Sequence, residues 1–386
     1  MSSNIRNDLR DEIGKALCAS TIAYAKNGNT VTPVITQELD LVNQVKWIEK
    51  LISKKLTQSA DVLFSENTYK VSKRKYIHAT KLGEQFINVL RTNNYEIKRH
   101  YPLHEFNPYY ELFARNVEER HLHDLPWIIK ALSDDEVVKW LDILNGCVDS
   151  IRKEAHSPKF KNTINEFHRL ANKNYRELRK YIAALFEKHS RLLVLRIDLS
   201  YVKASKWPSD VTSLVTYDDV KQHWETMLRY LRTKLPNECM CGFAMKIEYA
   251  LEKNFHCHLM IFLDGSKVRE DVTIARIIGE HWEKVVTKGN GIYRNCNAYK
   301  EEYKSCGIGM VHANDTVMRE GLDKAAFYMI KPDFYIRMVV PGRGRAFSKG
   351  NMPKLDDIKL GRPRAPAKSI KAIKTASGEA TQLSAV

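Results

Sequence analysis

The sequence predicts an α+β fold, in which a helical N-terminal domain precedes an antiparallel sheet flanked by helices. Three observations carry this. After Pro158, apolar residues recur at Phe160, Ile164, Phe167, Ala171, Tyr175, Leu178, Ile182 and Leu185. Steps of three and four keep them on one stripe of a long helix. Near residue 189 this texture gives way to short apolar runs of strand length. Two such runs, Phe243 to Ala250 and Phe255 to Leu263, are separated only by Leu251-Glu252-Lys253-Asn254, which predicts a hairpin with a short loop.

Taken in order, residues 1–188 read as helical. The polar side of the helix after Pro158 carries Lys161, Arg169, Lys173, Arg176, Arg179 and Lys180, a face that is either simply solvated or tracks a phosphate backbone. Leu192 to Leu199 predicts the first strand. Asp218 to Lys234 predicts a helix with Trp224, Met227, Leu228 and Leu231 inward. The hairpin follows, then helices over Val272 to Val286 and Thr316 to Lys331. This order predicts an antiparallel sheet with helices on one face. Three regions result: a helical N-terminal domain (1–188), a sheet domain (189–341) and a basic tail (342–386). From Gly342 to Lys374 there are ten Lys or Arg against two Asp, the composition of a flexible segment.

The 386 residues are 44% apolar, which excludes wholesale disorder, and 62 Lys and Arg against 46 Asp and Glu leave a net charge of +16. A polyanion is the expected partner, because neutralising phosphates releases counterions. The seven cysteines are odd in number and scattered, as in a reducing compartment. Cys239, Cys241, Cys296 and Cys306 lack the usual spacing of zinc ligands. No apolar stretch has membrane-spanning length, and the start, MSSNIRNDLRDEIGK, is too charged for a secretory leader. A cytoplasmic protein without a membrane partner is expected.

The chemistry concentrates in two places. On a strand, His256 and His258 share one face while Cys257, Leu259 and Ile261 take the other. If the hairpin closes near residues 250 and 255, Glu248 lies almost opposite His258 and on the same face. Two imidazoles and a carboxylate suit a divalent ion such as Mg²⁺ or Mn²⁺ with positions left open. The same donors also describe the facial triad of iron oxygenases, which the basic charge disfavours. A second pair, His121-Leu122-His123, has no hairpin partner, and on a helix residues two apart cannot chelate together. The second place is the last helix. Leu322, Ala325, Ala326, Met329 and Ile330 form its apolar stripe, and Lys324, Tyr328 and Lys331 gather opposite, before Pro332 ends the helix. Two flanking ammonium groups stabilise a phenolate. Together these parts describe attack of Tyr328 on a metal-polarised phosphodiester, leaving a 5′-phosphotyrosine and a free 3′-hydroxyl. Tyr335, beyond Pro332, is the lesser candidate.

These residues resemble the HUH endonucleases, the relaxase and rolling-circle initiator superfamily. There a paired-histidine strand with a preceding acidic ligand is followed by a Tyr-x-x-Lys helix. Cys257 stands where that family places a bulky residue, and it faces away from the metal. The eight-residue step from Glu248 to His256 is similar to that of single-strand DNA virus initiators, and Leu193 to Ser200 is similar to the family's first motif. Over Arg191 to Pro353, the segments Gly289 to Asn297, Gly307-Ile308-Gly309 and Arg345 to Pro353 resemble the inovirus replication-protein family, including YagK/YfjJ-type prophage proteins. The resemblance implies an HUH/RRM-like sheet and initiation of rolling-circle replication of a phage, prophage or satellite element. It implies Tyr328 and Lys331 as catalytic residues, Glu248, His256 and His258 as metal ligands, and DNA contacts from Lys324, Arg343 and Arg345. Its partner is single-stranded or locally melted origin DNA. No nucleoside-triphosphate loop occurs, so a separate helicase is expected. The alternative is a non-catalytic DNA-binding replication or transcription regulator with the same fold. The N-terminal half is left with two possible roles, duplex origin recognition or helicase recruitment.

Overall fold

A computed structural model describes residues 23–27, 30–34, 37–201, 215–251, 254–340 and 344–354. The N-terminal half is less purely helical than predicted. It runs β1 (Ala23–Asn27), β2 (Thr30–Val34), α1 (Gln37–Lys54), β3 (Phe64–Thr68), β4 (Lys75–Ala79), α2 (Lys81–Leu90), α3 (Asn94–His100), β5 (His104–Phe106), α4 (Pro108–Glu119), α5 (Leu125–Ile128) and α6 (Asp134–His156). β1–β2 and β3–β4 are antiparallel hairpins. Five-residue strands with a largely exposed pattern, as in β3, carry too little alternation to be read from sequence. The His121–His123 pair lies in the turn after α4, with His121 at φ 51° and Leu122 buried.

Ser157 caps the next helix by accepting from Phe160 N at 3.1 Å, and Pro158 takes the first turn, where its missing N–H costs nothing. The helix, α7 (Pro158–Lys188), has 31 residues and is about 46 Å long. Its predicted stripe is buried, but along two different cores. Phe160 joins the N-terminal core, whereas Leu178, Ile182 and Leu185 pack on the sheet.

The second half continues with β6 (Arg191–Tyr201), α8 (Tyr217–Thr233), β7 (Met240–Ala250), β8 (Asn254–Asp264) and α9 (Asp271–His281), which runs on as a π-turn over Trp282–Val286. β9 (Gly291–Asn295), a 3₁₀ segment (Cys296–Glu302), β10 (Gly309–His312) and α10 (Thr316–Ile330) follow. A 3₁₀ turn (Lys331–Phe334), β11 (Ile336–Met338) and β12 (Phe347–Lys349) end the order. The main sheet runs β10-β6-β8-β7-β12, with β9 also on β6, and every pairing is antiparallel.

Helices cover both faces of this sheet, not one. Leu195, Ile197, Met245, Leu259 and Ile261 pack with Met227 and Leu231 of α8 and Ile278 of α9. Val194, Ala244, Met260 and Phe262 pack with α7 and with Leu322, Ala326 and Met329 of α10. Strands buried on both sides read as unbroken apolar runs, so alternation could not reveal the second layer. The expected tail also starts later than predicted, since Phe347–Lys349 pairs with β7. Residues up to Pro353 form one unit. The remainder of the predicted tail, 355–386, lies outside the described residues. Among the described residues no helix is long and apolar enough to cross a membrane.

The seat of α10 depends on backbone contact at two glycines. A Cβ on Gly321 would stand 2.0 Å from the Cys306 carbonyl oxygen, and one on Gly307 would stand 2.0 Å from the Leu322 nitrogen. Gly321→Ala is expected to destabilise the chain by about 1–3 kcal/mol, read as a lower thermal midpoint. An unchanged midpoint would refute this close seating of α10.

Candidate metal centre

The histidine strand is positioned by its turn. Asn254 adopts φ 60°, a left-handed conformation that Asn tolerates, and its Oδ1 accepts from Phe255 N at 2.7 Å. The hairpin closes one residue tighter than predicted, with Ala250 opposite Asn254. Glu248 therefore faces His256, and Lys246 faces His258. The two-residue difference from the predicted register keeps Glu248 on the histidine face, because strand side chains repeat every second residue.

Two rungs cross four strands on this face. One is Lys246, His258, Asp198 and Arg294; the other is Glu248, His256, Ser200 and Ile292. Glu248, His256 and His258 are 8%, 4% and 7% exposed, and their ligand atoms lie within 4.8 Å of one another. Oε2 of Glu248 is 3.0 Å from Nε2 of His256 and 3.4 Å from Nε2 of His258. Each imidazole uses its other nitrogen elsewhere. Nδ1 of His258 is 2.6 Å from Oδ1 of Asp198, and Nδ1 of His256 is 3.4 Å from the Asn254 carbonyl. Such partners fix ring orientation and leave Nε2 for an ion. Asp198 is itself steadied by Cys296, whose Sγ donates to Oδ2 at 3.7 Å. Oε2 is the Glu248 oxygen that shares a point with both Nε2 atoms, the donor set of a divalent-cation site, and Oε1 is buried without a hydrogen-bond partner among the described residues.

Electrostatics follow from this packing. Burial would raise the Glu248 carboxyl, but the two imidazoles outweigh it and hold it well below the usual carboxylate range. Burial would lower His258, but Asp198 and Glu248 outweigh it and push it up to about 9. Among the described residues this trio is the group able to hold a metal; the cysteines join none.

The second predicted group is only partly as expected. Lys324 is exposed on α10 and donates to Ser305 Oγ at 3.1 Å. Tyr328 is half-buried, and Lys331 is fully buried instead of sharing a solvent face with it. The reason is local: α10 ends at Ile330, and the tighter 3₁₀ turn carries residue 331 inward ahead of Pro332. Lys331 Nζ nevertheless lies over the Tyr328 ring, 4.8 Å from its centroid. Tyr335 is buried in the N-terminal core. Arg345 contributes its backbone to Tyr217, donating to the Tyr217 hydroxyl at 3.1 Å, and Arg343 lies outside the described residues.

Sequence reasoning assigned no role to Asp198, Lys246 or Asp333. Nζ of Lys246 lies 2.5 and 2.6 Å from the Asp333 oxygens, and the pair is 1% and 3% exposed. It ties the turn after α10 to the strand bearing Glu248. Burial pushes the Asp333 carboxyl up against the pull of Lys246. Asp198, a lone acid in an apolar strand, was the one visible signal. A cleft of about 2500 Å³ opens beside this pair, between α7 and residues 344–352, and it does not reach the imidazoles. Its rim includes Lys159, Arg169, Lys173, Arg345 and Lys349, none of which forms an ion pair among the described residues.

Residues 154–334 match the family model of the YagK/YfjJ C-terminal domain, a prophage-type family. That span includes Glu248, His256, His258, Tyr328 and Lys331. No curated protein and no solved structure matches the chain.

Two outcomes are expected from this geometry. The raised value of His258 means that its ion pairs contribute fully below pH 6.5 and are lost as pH rises through about 9. With chelator present, the thermal midpoint should therefore fall across that window, and Mn²⁺ binding, which needs the neutral ring, should strengthen across it. Flat profiles in both would be incompatible with this site. Separately, Lys246→Met should cost about 3–5 kcal/mol by leaving a buried carboxylate unpaired, whereas Lys246→Met with Asp333→Leu should regain most of it. Equal losses in the single and double variants would deny the pair this role.

Proposed function

We propose that the chain is a metal-dependent, tyrosine-linked single-stranded DNA endonuclease and strand transferase that initiates rolling-circle replication of a phage, prophage or satellite element. The observation that supports it most is the convergence of Glu248, His256 and His258 on one sheet face, with a tyrosine-lysine contact at the end of a helix packed on that face. Glu248, His256 and His258 would hold Mg²⁺ or Mn²⁺, which when bound supplies positive charge at the non-bridging oxygens of a scissile phosphodiester.

The remaining chemistry belongs to the chain. The Tyr328 oxygen gives up its proton and forms a bond to phosphorus; the bond from phosphorus to the 3′ oxygen breaks, and that oxygen takes up a proton. The products are a 5′-phosphotyrosine and a free 3′-hydroxyl, and the retained ester allows rejoining. Lys331, fully buried and held over the Tyr328 ring, would favour the phenolate more than a solvated lysine could. Asp198 keeps His258 in register, and the Lys246–Asp333 pair fixes the exit of α10. The strand's partners would be the basic rim residues of the cleft, with unwinding left to a separate helicase.

One observation favours a second reading, a DNA-binding replication or transcription regulator without nicking: the cleft bypasses the imidazoles. A single assay separates the two. With origin-containing single-stranded DNA and Mn²⁺, a slower-migrating covalent adduct should appear on a denaturing gel and vanish in Tyr328→Phe or with chelator. Lys331→Met should bind DNA normally but form adduct slowly. An adduct that survives Tyr328→Phe would sink the mechanism, and DNA binding with no adduct would favour the regulator.

A further inference from the structure

The N-terminal half reaches the metal face. β5 pairs with β11, placing His104 opposite Met338, and Leu103 accepts from Val339 N at 2.8 Å. The hairpin turn is tied to the same half, since Leu251 N donates to the His100 carbonyl at 3.0 Å. Between these attachments lies a cavity of about 30 Å³ whose walls include Glu38, Tyr101 and His104 from one half and Glu248, His256 and Asp333 from the other. Its volume is enough to admit a water molecule, and Glu38, His104, Glu248 and Asp333 bring polar groups to a wall otherwise formed by residues such as Val42, Ile336 and Met338.

On this wall, Oε1 of Glu248 and Nδ1 of His104 are buried without a hydrogen-bond partner among the described residues. Orphaned polar atoms from both halves beside one water-sized cavity are a rare combination, because buried donors and acceptors are normally paired. The other Glu248 oxygen already faces both imidazoles.

We propose that His104 is a positioning residue for the metal carboxylate, acting through one water in this cavity that donates to Oε1 of Glu248 and has Nδ1 of His104 as its second partner. Asp333 and Glu38 complete the polar surroundings of that water. The N-terminal half is then part of the metal centre, setting the direction in which Glu248 presents its oxygens. This rests on the metal reading of Glu248, His256 and His258.

The full chain tests it with Mn²⁺ as the probe, followed by calorimetry. His104→Leu should weaken Mn²⁺ binding roughly 10- to 100-fold, the usual loss when a ligand's own hydrogen-bond partner is removed. His104→Asn, whose amide can stand where Nδ1 stands, should bind close to the natural chain. Equal weakening in both variants would reduce His104 to packing, and no weakening in either would overturn the proposal. A metal-free readout keeps it separate from the metal reading. With chelator and ¹⁵N-labelled histidine, the His256 imidazole resonances should move in His104→Leu and return in His104→Asn. If the natural chain takes up no Mn²⁺, the metal reading falls alone and these resonances decide: displacement rescued by Asn sustains the coupling, and unmoved resonances overturn it.

Discussion

The register of β8 between β6 and β7 is the constraint on which the rest depends. Nine consecutive pairings with β6 and a longer ladder with β7 place His258 between Asp198 and Lys246, and His256 between Ser200 and Glu248. A slip of one residue would carry both imidazoles to the face of α8 and α9, among Leu195 and Met245 of the neighbouring strands, where neither carboxylate could follow. The apolar residues on either side of the histidines enforce the register. Cys257, Leu259 and Ile261 are almost fully buried on one face and Met260 and Phe262 on the other, so any slip exchanges two well-packed layers at once.

A face that is apolar at one end and ionic at the other needs its charges matched. The polar end holds Lys246, Glu248, His256, His258 and Asp198 in close contact, with Asp333 reaching in from the turn after α10. Each charge has an opposite within hydrogen-bond reach, which is the condition under which buried ions are tolerated. The Lys246–Asp333 pair has a second consequence. It pins the chain three residues after Tyr328's own helical turn ends, so the helix face and the histidine face are held by one covalent stretch and one ion pair. Glycine contact at residues 307 and 321 seats the other end of that helix.

The N-terminal half is built into this arrangement and is not a simple appendage. Its core takes in Ala250, Tyr335 and Ile336, which flank the histidine hairpin and the turn after α10. α7 spans both cores with one stripe, so the same periodicity that makes it a helix also couples the two halves. The candidate metal site thus takes part of its back wall from the N-terminal half.

The sequence by itself determined the local elements and the chemistry of the donors. Period-3.6 stripes located α7, α8, α9 and α10 to within a few residues, and an apolar hairpin placed Glu248, His256 and His258 on one face even though its predicted register was off by two. These are statements about neighbours along the chain, where backbone geometry leaves few choices. Only the tertiary structure decided which strands flank β8, and hence that Asp198 and Lys246 join the histidines from 60 and 12 residues away. It alone turned Lys331 inward, put helices on both faces and brought His104 to the back of Glu248. Those outcomes depend on which buried surfaces meet, and a residue's own neighbours in sequence carry no record of that.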